Sequence, residues 1–202
     1  FAGRGRHGRI LRGRLPARGV RVALLALAFV GAVHGTPPPA AVATDRAAEG
    51  ARVGSYFTPG DDIERVVAAR IDGARRSLHV AAYLFTNRRI AGALVRAARR
   101  GGAVELVADA SQFQSGGLPR LREIGRAGAS IRLREGLAAF HHKYVIVDAG
   151  DPSAAVLTGS FNFTQSAQAR NAENLVVIES RAVAARFLAD FERHRAASSR
   201  IQ

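Results

Sequence analysis

Residues 44–202 predict a single α/β domain, and three observations carry that expectation. Short apolar runs alternate with stretches whose apolar residues recur at helical spacing, the pattern of strand–helix units. These 159 residues are enough for one domain to enclose a sizeable core. The chain has no cysteine, so burial rather than disulfides must supply its stability.

Taken in order, a first strand is expected at 53–57. Pro59-Gly60 turns the chain, and Asp61 with Glu64 three residues on forms a capping box for a helix whose Ile63, Val66, Val67 and Ile71 share one face. The Asp61-Asp62-x-Glu64 cluster is therefore read as capping rather than catalysis. Residues 77–85 read as a buried strand, with His79 a core histidine on the side of Ala81 and Tyr83. Thr86-Asn87 caps the next helix, whose inner stripe is Ile90, Leu94, Val95 and Ala98 and whose end is Gly101-Gly102. A strand at 104–108, a short helix at 118–126 and a strand at 131–133 follow. The last helix spans 181–195 and turns Val183, Phe187, Leu188 and Phe191 inward.

Residues 1–43 differ in kind. They hold seven arginines and no acid, then an apolar run from Val22 to Val33, then Gly35, three prolines and Ala41-Val42-Ala43. This is the composition of an export signal, with cleavage after Ala43 preferred over Gly35. The apolar run falls short of the about 20 residues that span a bilayer, which argues against a retained anchor. A periplasmic or secreted location is expected. All 16 acids lie in 44–202 against 23 basic residues, a net charge of +7. A polyanion suits that charge, whether nucleic acid or an anionic membrane surface. The arginine pairs 75–76, 88–89 and 99–100 fall at helix ends and loop edges, where each suits a phosphate contact and a favourable charge at a helix C-terminus explains two of them equally well. No Cys, no His-x-x-x-His and no Glu-x-x-His spacing occurs, so neither metal nor cofactor is expected.

Lys143 is the one lysine beside 29 arginines, and it lies in His141-His142-Lys143-Tyr144-Val145-Ile146-Val147-Asp148. A compact ammonium is wanted where a planar guanidinium fork would not serve. In a strand, His141 and Lys143 share one side, while His142, Tyr144 and Ile146 take the other. The next strand, 154–158, leads into Gly159-Ser160-Phe161-Asn162-Phe163-Thr164. Continued extension there turns Ser160 and Asn162 together and sends Phe161 and Phe163 into the core. An imidazole, an ammonium, a hydroxyl and an amide suit phosphoryl transfer. A further strand at 175–178 begins with Asn171-Ala172-Glu173-Asn174, and Glu173 is placed either to hold the His141 ring through its second nitrogen or to pair with an arginine such as Arg170.

These residues resemble the phospholipase D superfamily, whose His-x-Lys-x4-Asp signature followed by Gly-Ser-x-Asn is met by His141, Lys143, Asp148, Gly159, Ser160 and Asn162. The resemblance implies a mixed β-sheet flanked by helices on both faces. It implies attack of His141 on a phosphodiester phosphorus, release of the phosphohistidine by water, and binding of the non-bridging oxygens by Lys143, Asn162 and Ser160. His141, Lys143, Asp148 and Glu173 form its catalytic set. Parity nevertheless places Asp148 across the strand from His141 and Lys143, which points to a structural role as a strand-end hydrogen-bond acceptor. The chain has one motif where the chemistry needs two histidines, so the resemblance implies a homodimer sharing one site.

Two departures stand out. Ten residues separate Asp148 from Gly159, and the excess contains Gly150-Asp151-Pro152-Ser153, a longer hairpin that keeps the register. His142 offers a second candidate nucleophile, but spacing to Lys143 and strand parity favour His141. The function expected is a metal-independent endonuclease with little sequence preference on DNA or RNA. The alternatives are a phospholipase D acting on head groups or cardiolipin, with residues 136–140 lining a lipid-facing entrance, and a non-catalytic basic nucleic-acid-binding protein.

Overall fold

Side-chain parity along the strands explains how this chain builds two cores. The computed structural model describes residues 50–201; the expected export segment at 1–43 lies outside them. Among these residues eight strands form one sheet: β1 (Arg52–Thr58), β2 (Ser77–Ala82), β3 (Ala103–Asp109), β4 (Ser130–Arg134), β5 (Lys143–Val147), β6 (Ala155–Gly159), β7 (Glu173–Glu179) and β8 (Ser199–Arg200). Their order is β1-β7-β6-β5-β2-β3-β4-β8. The pairs β2–β3 and β3–β4 are parallel and the others antiparallel, so the sheet is mixed. Among the described residues six helices connect the strands: α1 (Ile63–Asp72), α2 (Arg88–Arg99), α3 (Gln112–Ser115), α4 (Leu118–Arg126), α5 (Gln165–Ala169) and α6 (Arg181–Ala196).

One face of the sheet presents Leu78, Val80, Val104, Leu106, Val145, Leu157, Leu175 and Val177 to α1, α2, α4 and α5. The other presents Ala81, Val107, Tyr144, Ile146 and Val156 to α6, through Ala184 and Phe191 with Val183, Phe187 and Leu188 partly covered. Central strands buried on both sides read as near-continuous apolar runs, as β2 and β5 do. His79 belongs to the α6 face, half-buried and edge-on to Phe191 at 5.2 Å.

Several boundaries shift. The run at 77–85 leaves the ladder after Ala82, because Phe85 bridges to Phe163 instead. Asp62, not Asp61, caps α1 and accepts from the Arg65 amide at 3.0 Å. Asp61 instead closes the preceding turn by accepting from Phe57 N at 2.8 Å. With the helix starting one residue later, Glu64 is out of capping-box register; its buried carboxylate accepts from Asn87 Nδ2 at 2.6 Å. Asn87 caps α2 through Ile90 N. Sequence periodicity gave no sign of α3, α5 and β8, which are too short to show a period. Among the described residues no helix is long and apolar enough to cross a membrane.

Candidate active site

The end of the sheet where β2 and β3 finish is also where β5 begins, β6 ends and β7 begins, and the polar residues of the two motifs gather there. The approach to β5 is pinned twice. Phe140 is buried and its amide donates to Asp109 Oδ2 at 2.6 Å, while His142 O accepts from Tyr83 N at 2.8 Å. His141 is thereby held between two fixed neighbours. Its ring lies tilted against Tyr83, centroids 4.3 Å apart.

Lys143 opens β5 opposite Ala82 and is only 8% exposed. Its ammonium lies 3.0 Å from His141 Nδ1 and donates to His141 O at 2.8 Å, with the Tyr83 ring 5.3 Å away. Burial pulls the Lys143 ammonium below its ordinary pKa, and the carboxylate of Glu173 works against that fall. His141 and Lys143 therefore share one side, and His142 faces the other, edge-on to Phe140 and tilted against Tyr144. Parity and geometry agree that His141, rather than His142, accompanies the ammonium.

The second motif arrives on β6. Thr158 pairs with Tyr144 and its hydroxyl donates to Lys143 O at 3.3 Å, which fixes the register between the motifs. Only glycine fits at 159: a Cβ there would stand 2.3 Å from Asn174 O. That close approach brings Ser160 against the start of β7. Ser160 Oγ donates to Glu173 Oε2 at 2.5 Å and accepts from Asn174 N at 3.0 Å. Phe161 and Phe163 are buried as expected, each anchoring the loop by about 1.5–3 kcal/mol of apolar burial. Asn162 is half-buried, and its Oδ1 is buried with no hydrogen-bond partner. A buried polar atom left unpaired is costly in a resting protein and suits a site that acquires a partner from its ligand.

Glu173 differs from the ring-holding role considered for it. Its two oxygens accept from Ser160 Oγ and from Asn171 Nδ2 at 2.8 Å, because β7 brings it beside the Ser160 loop. Its reach to Lys143 is electrostatic. Asp148 stands apart from the site, at the other end of β5 by five residues, or about 16 Å of strand. It is 4% exposed, and its carboxylate accepts from the amides of Arg75, Arg76 and Ser77 at 2.7–3.1 Å. Asp148 thus ties the α1–β2 connection to β5. The long connection from Asp148 to Ala154 folds as a turn in which Asp151 accepts from Ser153 N, leaving Val147 opposite Ala155.

Two contributors escaped sequence reading. Tyr83 supplies the surface under the His141 ring. Asp109 positions Phe140; burial opposes its ionisation, but hydrogen bonds from Ser111 and the Phe140 amide, with His141 nearby, outweigh this and hold the carboxyl below its usual range. Neither lies near a motif in sequence, although Asp109 at the end of an apolar run was the visible signal. An open cavity of about 630 Å³ lies against His141, Lys143, Thr158 and Gly159, with Arg186 and Arg193 of α6 on its wall.

Comparison with known proteins gives the same assignment. Residues 67–195 match the family described as cardiolipin synthase, PLD-like domain. The chain is 35% identical over 137 residues to a phospholipase D of Rickettsia bellii, covering 68% of this chain and 66% of the relative. It is 30% identical over 121 residues to a mitochondrial cardiolipin hydrolase of Xenopus laevis, 60% of this chain and 55% of that one. The solved structure of Nuc, a phospholipase D family member from Salmonella typhimurium, superimposes with a TM-score of 0.70 at 30% identity, over 75% of this chain and 99% of Nuc. The eight-stranded mixed sheet, the paired motifs at one end of it and a family match over most of the described residues lead to one assignment: the chain belongs to the phospholipase D superfamily and is a phosphodiester hydrolase of that superfamily.

Proposed function

We propose that the chain is an exported, metal-independent endonuclease that cleaves DNA or RNA through a phosphohistidine on His141, as a homodimer. The observation that carries the chemistry is the Lys143 ammonium beside the His141 ring, 3.0 Å from Nδ1, at the edge of an open cavity. In this reading His141 attacks phosphorus as the bond to the leaving oxygen breaks, and the imidazolium of the partner copy's motif gives that oxygen its proton. Water then attacks the phosphohistidine, losing a proton to the same second imidazole, and His141 is regenerated. Lys143 and Asn162 meet the non-bridging oxygens, whose charge is largest in the transition state. Asn162 offers its Nδ2 hydrogens to them, and Ser160 offers its hydroxyl once the proton it now gives Glu173 turns to the substrate.

Nucleic acid is favoured by the +7 charge of residues 44–202 and by Arg186 and Arg193 on the cavity wall. A phospholipase D reading has one structural observation of its own. Phe113 (60%) and Leu137 (47%) are exposed in the segments that follow β3 and β4, and these segments flank the Asp109–Phe140 anchor before His141. An apolar rim of that kind suits a lipid interface. The deciding experiment is cleavage of plasmid and single-stranded DNA in EDTA beside head-group release from phosphatidylcholine and cardiolipin. DNA cutting that survives EDTA and vanishes in His141→Asn supports the nuclease. Lipid turnover without DNA cutting transfers the same residues to a phospholipase, and a wild type inactive on every phosphodiester overturns both.

A further inference from the structure

We propose that His142, Asp190 and His194 form a binding site for one divalent transition-metal ion of the zinc class, beside the cavity that His142 and Asp190 line together with His141 and Lys143. Asp190 and His194 stand four residues apart on α6 and so share a face of that helix. His142 reaches them from the segment entering β5. Its Nε2 lies 3.5 Å from Asp190 Oδ2, and His194 Nε2 lies 3.7 Å from Asp190 Oδ1. One donor atom from each residue falls within 4.8 Å of the other two. Ligand atoms about 2.0–2.1 Å from a tetrahedral ion stand about 3.3 Å from one another, so the cluster is close to the spacing a shared ion requires.

The surroundings also fit. Tyr144 donates its hydroxyl to Asp190 Oδ2 at 3.1 Å, the kind of outer partner that orients a ligating carboxylate. Phe140 backs both imidazoles, with ring centroids at 5.1 Å and 4.9 Å, and gives the cluster an apolar floor. Two imidazoles and one carboxylate suit zinc, cobalt or nickel rather than calcium or magnesium, which prefer all-oxygen sites. Arg193 now donates to Asp190 Oδ1 at 2.6 Å, but its side chain is 70% exposed, and an arriving cation displaces it into water at little cost. Water from the cavity completes the coordination. The ion takes no part in the hydrolysis proposed above, and its binding is read without reference to activity.

The test is calorimetric titration of untagged, chelator-stripped full chain with zinc, and with cobalt for its visible absorption. The result expected is one ion per chain, a cobalt spectrum of low coordination number, and a melting temperature raised by roughly 5 °C at about 100 times Kd. His194→Ala and His142→Asn each weaken binding by about tenfold or more while the metal-free protein keeps its circular dichroism. His79→Gln, which removes the imidazole of the separate His79, Glu105 and Glu192 grouping, leaves binding unchanged. Absence of binding, binding indifferent to both His142 and His194, or binding lost in His79→Gln overturns the proposal.

Discussion

Replacing Asp148 separates two meanings that a signature residue can have. The carboxylate receives four hydrogen bonds from three successive amides, Arg75 at 3.1 and 2.9 Å, Arg76 at 2.7 Å and Ser77 at 3.0 Å. Asp148 itself has φ 48°, a left-handed conformation that Asp and Asn tolerate and alanine resists. In Asp148→Ala the three amides lose their acceptor, at about 1–3 kcal/mol for each that water cannot reach, and alanine adds about 1 kcal/mol of backbone strain. Because the site is only partly closed, we expect a total of about 4 kcal/mol, a large share of a domain's stability. That corresponds to a fall in Tm of roughly 10 °C. Asp148→Asn keeps the oxygen that serves all three amides and loses one bond, for about 1–2 kcal/mol. Urea denaturation measures both values. At a temperature where Asp148→Asn stays folded, its kcat should lie within a few-fold of wild type, because the carboxylate is a strand's length from His141. An Asp148→Asn protein as stable as wild type but slower by about 100-fold would refute this reasoning and return Asp148 to the reacting groups.

Three other variants test the site. Lys143→Arg should lower kcat by about 100-fold with little loss of Tm, since a planar fork does not reproduce an ammonium that reaches Nδ1 and the His141 carbonyl together from a buried niche; steady-state kinetics at saturating substrate checks it. Gly159→Ala forces a Cβ to within 2.3 Å of Asn174 O, so β6 must separate from β7; a loss of about 2–4 kcal/mol in urea is expected, with Ser160 and Asn162 displaced and activity falling further than stability explains. Asp109→Asn tests linkage: a carboxyl held below its usual range stabilises the fold fully above about pH 4 and loses that contribution as pH falls through its lowered value. The stability difference between wild type and Asp109→Asn should therefore be constant near neutrality and shrink in acid, as denaturation followed from pH 7 to pH 2 would show.

What the sequence disclosed follows from which forces are local. Short apolar runs marked β2 and β3, which are buried on both sides, and helical spacing marked α2 and α6 because each buries one face; α4 was bounded to the residue. Parity alone put His141 with Lys143, sent Phe161 and Phe163 inward and removed Asp148 from the reacting side. The capping box at Asp61 failed because Glu64 found a stronger partner in Asn87, 23 residues away, and a buried hydrogen bond between distant elements has no sequence spacing. Tyr83 and Asp109 escaped for the same reason: they reach His141 and Phe140 through the order β5-β2-β3, which is a property of the sheet. Glu173 was read as a candidate for the imidazole, but β7 delivers it to Ser160, a contact decided by the β6–β7 register.

In the proposed mechanism one chain brings one nucleophile, and the leaving oxygen needs a proton from elsewhere. Within the described residues, the other imidazole lining the cavity is His142, which faces Phe140 and Asp190 and which burial, ahead of the neighbouring charges, keeps below its ordinary pKa. A group held neutral in that way is a poor proton donor, so the acid is expected from a second copy, as the homodimer reading requires. Mixing gives a quantitative test. Equal amounts of wild type and His141→Asn, unfolded and refolded together so that chains pair at random, yield about one quarter wild-type dimers. If each site needs both imidazoles, activity drops to about one quarter of an all-wild-type sample at the same total concentration. If each chain works alone it drops only to about one half. A value of one half, or a monomer by sedimentation at assay concentration with full activity, would refute the shared site and require a proton donor within the chain.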